Sequence, residues 1–104
     1  MEQPSIVELP GRIDNLTSAG LETSIGRELD ATPPALVLDF GHVTFVSSMG
    51  LRMLLMVAKR CRKQQTPLAL HSVSKPVVDV FRVSGVTEFF PIHPTRETAL
   101  AAVV

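Results

Sequence analysis

The feature that most restricts this chain is its alternation of two apolar periods. Runs of strand length, Ser5–Leu9 (SIVEL), Ala35–Phe40 (ALVLDF), Val43–Val46 (VTFV) and Pro67–His71 (PLALH), are separated by longer segments whose apolar residues recur every three to four positions. Such alternation predicts a layered α/β domain: a small mixed β-sheet of about four to five strands, with about four helices between them. The 104 residues suit a single domain over 1–104. ALVLDF is apolar almost without interruption, as expected of a central strand with helices on both faces.

The helical segments carry their own punctuation. Leu21, Ile25 and Leu29 form one stripe, which Asp14 or Asn15 is placed to cap and the Asp30-Ala31-Thr32-Pro33-Pro34 run to stop. From Gly50 to Gln65 the helical period is strongest, with Leu51, Leu54, Leu55 and Ala58 as the expected buried stripe. Ser74 and Pro76 open a third helix that buries Val77, Val80 and Phe81 and ends at Gly85. Glu88–Ile92 (EFFPI) reads as a last short strand, after which Thr95 caps a terminal helix.

Charge and composition remove several classes of function. Ten basic residues balance ten acidic ones, and there is no Trp or Tyr, so neither a nucleic-acid footprint nor a stacking platform is indicated. A single cysteine, Cys61, leaves no internal disulfide and no cysteine-rich metal site, in keeping with a reducing compartment. No apolar run approaches the length of a membrane span, and the first residues lack the pattern of a secretory leader. The expectation is a cytoplasmic protein with no membrane insertion and no cofactor.

Chemistry concentrates in one stretch, FVSSMGLR at residues 45–52. Two serines stand where a helix begins, and one hydroxyl suffices for an N-cap. Ser48 is the candidate for that cap. It is equally a candidate phosphate acceptor, because a helix start offers free N–H groups and a favourable dipole to an added negative charge. A serine hydrolase built from Ser47 or Ser48 with His42, His71 or His93 and Asp14 or Asp39 lacks the G-x-S-x-G elbow. The histidines show no metal-ligand spacing, and no enzymatic activity is expected.

The helix after the serines carries Arg52, Lys59, Arg60, Arg62 and Lys63 and no acidic residue. Cations in its last two turns compensate the helix dipole, but Arg52 in the first turn does not. On a helical wheel Arg52, Lys59 and Lys63 lie about 80° to 120° from Leu51, with Met53 and Met56 assigned to the same wet face. Flexible thioethers beside positive charge suit a partner surface, and surface methionines without a role are the alternative.

Taken together, these segments resemble the STAS domains of the anti-sigma factor antagonists. The stretch LVLDFGHVTFVSSMGLRMLLMVAKRCRKQ is similar to that family's central strand, loop and helix. Gly11–Asp14 (GRID) is similar to its G-x-L-D, and SKPVVDVFRVSGVTEFFPI to its following helix and last strand. The likeness runs from Val7 onward. It implies a partner switch: the unmodified protein binds an anti-sigma factor that is also a serine kinase, phosphorylation at Ser48 releases it, and a metal-dependent serine phosphatase resets it. Ser47, the second choice as acceptor, falls where the family usually has Asp, and Met49 on its second serine. Asp14 falls on the loop carboxylate expected near the acceptor. The partner surface expected from the resemblance and the basic face comprises Asp14, Asn15, Ser47, Met49, Gly50, Arg52, Met53, Met56 and Lys59. A STAS adaptor subunit of a transporter or sensory complex, never phosphorylated, is the alternative. Only one strand fits before GRID, where the family supplies two, so the open sheet edge leaves room for a homodimer.

Overall fold

The computed structural model describes residues 3–104; Met1 and Glu2, the first two positions of the expected 1–104 domain, lie outside them. Strands β1 (Ser5–Glu8), β3 (Leu36–Asp39), β5 (Leu68–His71) and β6 (Ile92–His93) form one sheet in the order β1-β3-β5-β6. A second, two-stranded ladder joins β2 (Arg12–Ile13) to β4 (Phe45–Val46). The small sheet expected from the sequence thus resolves into two ladders, and every pairing among the described residues is parallel. Parallel neighbours need crossovers, which the helices α1 (Ser18–Asp30), α2 (Ser48–Gln64) and α3 (Lys75–Val83) supply.

The sheet divides the molecule into unequal layers. Leu36, Leu38 and Leu70 face the larger core, with Ile25 and Leu29 of α1, Leu54 and Val57 of α2, and Val77 and Phe81 of α3. Val37 and Ala69 point to the other face, where α4 (Arg96–Val103) covers them with Ala99, Leu100 and Val103. Leu36, Val37 and Leu38 are all buried, so the continuous apolar run of β3 is explained by cover on both sides. Thr95 caps α4 in a reciprocal capping box with Thr98.

Two boundaries differ from the sequence expectation. EFFPI does not form the last strand: Thr87–Phe89 is a 3₁₀ turn, and β6 begins only at Ile92. The cause is aromatic packing, because Phe90 stacks on Phe81 at 4.6 Å between centroids, and Phe81 meets Phe40 edge-on at 6.2 Å. Tucking Phe90 into that trio takes the segment out of the extended conformation. The first helix also starts later than Asp14 or Asn15 would place it. A turn closed by Asp14 comes first, its carbonyl accepting from the Ser18 N–H at 2.9 Å, and α1 then begins at Ser18 with Thr17 in the cap position.

Candidate functional site

The parallel pairing of β2 with β4 matches Arg12 to Phe45 and Ile13 to Val46. Both strands then end, so Asp14-Asn15 and Ser47-Ser48 leave the ladder side by side although more than thirty residues separate them in sequence. The Ser47 N–H donates to the Ile13 carbonyl at 2.9 Å and holds the two segments together.

The two serines have different jobs. Ser47, partly buried and extended in backbone, is the N-cap of α2: its Oγ accepts from the Gly50 N–H at 3.0 Å. Ser48 is therefore not the cap. It is the first helical residue, exposed, and its hydroxyl has no hydrogen-bond partner among the described residues. The structural need for a serine here is met one position earlier than the sequence suggested. Ser47 also accounts for its own side chain, which weakens it as the second-choice acceptor.

Gly50 is a packing requirement rather than a contact surface. A Cβ at this position would lie 2.2 Å from the Ile13 carbonyl oxygen and 2.8 Å from its carbon, so the first turn of α2 can approach β2 only with no side chain there. That approach also sets the rotation of α2. The buried residues are Gly50, Met53, Leu54, Val57, Ala58 and Cys61, whereas Leu51 and Leu55 are only partly covered. Met53, assigned above to the wet face, is 3% exposed and belongs to the core. Among the expected partner residues Gly50 and Met53 are thus turned inward. Burial also pushes the Cys61 thiol up to about 11, with Arg60 opposing, so this cysteine is a core residue and a poor nucleophile.

What remains outward forms one surface. Asn15, Ser48, Met49 and Arg52 line a shallow open depression at the start of α2. Met49 and Met56 are each about half exposed, and Lys59 lies about two turns beyond Arg52. Two exposed apolar residues flanking this region escaped the sequence reading. Leu16, 93% exposed, follows Asn15, and Phe45 on β4 lies under the Arg12 guanidinium at 4.4 Å. The available signal for Leu16 was a leucine that does not fit the Leu21, Ile25 and Leu29 stripe.

Asp14 is committed to its own loop. One carboxylate oxygen accepts from the Leu16 N–H at 2.9 Å and the Thr17 N–H at 3.3 Å; the other accepts from Arg12 Nε at 3.2 Å. The Leu16 donor, outweighing partial desolvation and helped by Arg12 and Thr17, holds the carboxyl below its ordinary value. Asp14 therefore shapes the turn that presents Asn15 and Leu16, and it makes no hydrogen bond to either serine among the described residues.

The cations of α2 divide as well. Arg60 reaches α1, donating to the Gly26 carbonyl at 3.3 Å and pairing with Asp30. Arg62 donates to the Glu88 carbonyl at 3.1 Å and stacks 4.4 Å over Phe89, with Lys59 5.8 Å from the same ring. Arg52 has no ion pair or hydrogen bond among the described residues. Groups of histidine, cysteine and carboxylate residues able to hold a metal ion are absent among those residues too, as are helices long and apolar enough to cross a membrane.

Residues 2–99 match the STAS domain family over nearly the whole sequence. The chain belongs to the STAS domain family. This STAS domain is 36% identical over 94 residues to BtrV of Bordetella bronchiseptica, a protein provisionally named an anti-sigma factor antagonist. That match spans 90% of this chain and 81% of BtrV. It is likewise 36% identical over 101 residues to RsfB of Mycobacterium tuberculosis, an anti-sigma-F factor antagonist, across 95% of this chain and 80% of RsfB. The crystal structure of an anti-sigma factor antagonist from Mycobacterium paratuberculosis superposes with a TM-score of 0.85 at 34% identity. It covers 96% of this STAS domain and 85% of the other chain.

Proposed function

We propose that this STAS domain is an anti-sigma factor antagonist, a binding partner and phosphorylation substrate of a serine-kinase anti-sigma factor, with Ser48 as the acceptor. The observation that carries the reading is the division of labour between the serines. Ser47 satisfies the helix, which leaves an exposed Ser48 hydroxyl with no hydrogen-bond partner among the described residues, on the surface that also bears Asn15, Met49 and Arg52. The relatives named for antagonism of anti-sigma factors support the same role.

In the unmodified state this surface docks through its exposed apolar residues, Leu16, Met49 and Met56, with Asn15, Arg52 and Lys59 supplying polar contacts. In the modification step the Ser48 Oγ attacks the γ-phosphorus of ATP held by the kinase. The Oγ–P bond forms, the bond to the β,γ-bridging oxygen breaks, ADP leaves, and the hydroxyl proton passes to a base of the kinase. A phosphoserine adds about −1.5 to −2 charge at the centre of the contact and breaks the complex by desolvation cost and repulsion. A metal-dependent serine phosphatase would restore the hydroxyl.

Intact-mass spectrometry after incubation with the cognate kinase and ATP tests this. The expected gain is one phosphate, abolished in Ser48→Ala and retained in Ser47→Ala. A phosphate that persists in Ser48→Ala, or no gain at all in the native protein, overturns the assignment.

A further inference from the structure

Seven arginines occur in the sequence, and five of them have a polar partner among the described residues. Arg12 pairs with Asp14, Arg60 with Asp30, Arg82 with Asp79 and Arg96 with Asp39, and Arg62 donates to the Glu88 carbonyl. Arg27 and Arg52 are the two without one. Arg27 stands in the last turn of α1, where a cation suits the helix dipole. Arg52 is the fifth residue of α2, beyond the reach of the C-terminal dipole that favours cations, and the first turn holds no acidic residue to pair with it. In the unmodified protein this guanidinium is exposed and has no partner among the described residues.

Its position is explained by what lies one turn before it. Ser48 and Arg52 are at i and i+4, about 6 Å apart along the axis, and line the same depression. An anion at i with a cation at i+4 is the favourable order on a helix, and guanidinium and phosphate match as bidentate partners. Resting on the proposal that Ser48 is phosphorylated, we infer that the phosphate is captured by Arg52 of its own helix. Modification then does two things at once. It adds negative charge, and it withdraws the one unpaired cation of the depression, so an acidic group on a partner loses its counter-charge while meeting the phosphate. Met49, on the neighbouring edge of the depression, stays where it was, so the switch is one of charge pairing rather than of fold.

The test uses the whole protein with phosphoserine placed at position 48 by genetic encoding, so that no kinase is involved. Phosphorus NMR follows the second ionisation of the phosphate, whose ordinary midpoint is about 6. Capture predicts a midpoint below that value and an upward shift of about half a unit or more in Arg52→Gln, partly restored in Arg52→Lys. Arg27→Gln removes the same net charge from an exposed site elsewhere and should leave the midpoint in place. The Arg52 Nε–H resonance should also move between the unmodified and phosphorylated proteins. If Arg52→Gln and Arg27→Gln behave alike, or the Nε–H resonance is unmoved, the inference is overturned while phosphorylation by the kinase stands on its own test. If the kinase never modifies Ser48, the functional reading falls instead, and the phosphorus titration still decides whether Arg52 can hold a phosphate here.

Discussion

The two halves of α2 carry similar residues to different ends. In the C-terminal half, Arg60 and Arg62 are used up by the fold, one tying α2 to α1 and the other pinning the 3₁₀ turn through Glu88 and Phe89. In the N-terminal half Ser48, Met49 and Arg52 face solvent with no such partner among the described residues, directly beside a capping serine and a glycine that are fully committed. The difference teaches that a basic, methionine-bearing helix is not one surface. The charge of Arg60 and Arg62 is structural because each meets another element, whereas Arg52 beside the loop is left available.

Substitutions should separate the committed residues from the free ones. Gly50→Ala is expected to have the largest effect, about 3 kcal/mol of lost stability seen as a lower denaturation midpoint, because its Cβ would collide with the Ile13 backbone rather than with a movable side chain. Ser47→Ala removes the cap and should cost about 1 kcal/mol in the same measurement, with phosphorylation of Ser48 retained. Arg60→Ala follows at about 0.5 to 1 kcal/mol, since its pair with Asp30 is solvent-exposed on both sides. Ser48→Ala and Arg52→Ala should each stay within about 0.5 kcal/mol of the native protein in chemical denaturation. A large loss in either would mean that the N-terminal half is committed too, and the contrast would fail.

A pH experiment extends the contrast to Arg96, a committed cation outside α2. Burial alone would raise the Asp39 carboxyl, but the Gly41 N–H at 2.8 Å and Arg96 at 3.0 Å outweigh it and leave it below its ordinary 3.8. Because the folded value is the lower one, the stabilisation is complete above the unfolded value and is lost as pH falls through the folded one. Thermal denaturation across this acid range should show Asp39→Asn less sensitive to acid than the native protein, and Arg52→Gln no different from it.

The order of elements was legible because strand-length and helix-length apolar runs differ in period, and the starts of α3 and α4 followed from Ser74 and Thr95. The rotation of α2 was not legible. Two overlapping stripes, one through Leu51 and Leu55 and one through Met53 and Val57, fit the same helical period, and hydropathy favours the leucines. Only the contact of Gly50 with the Ile13 backbone, a long-range event, selects the second. The same contact decided which serine caps the helix, since adjacent serines score alike locally. Pro91 pointed to a strand end, but the stacking of Phe90 on Phe81, which keeps the preceding residues out of the sheet, depends on a helix elsewhere in the chain.

The β2–β4 ladder is only two residues long on each side, yet it joins distant parts of the polypeptide. An isolated peptide reading FVSSMGLR would contain the serine and the arginine but not Asn15 and Leu16, and its first turn would have nothing to lean on. A partner that grips both strands' ends therefore recognises an assembled molecule and ignores a nascent or denatured copy. Closing that long loop means the surface formed by Asn15, Ser48 and Arg52 exists only once the chain has folded.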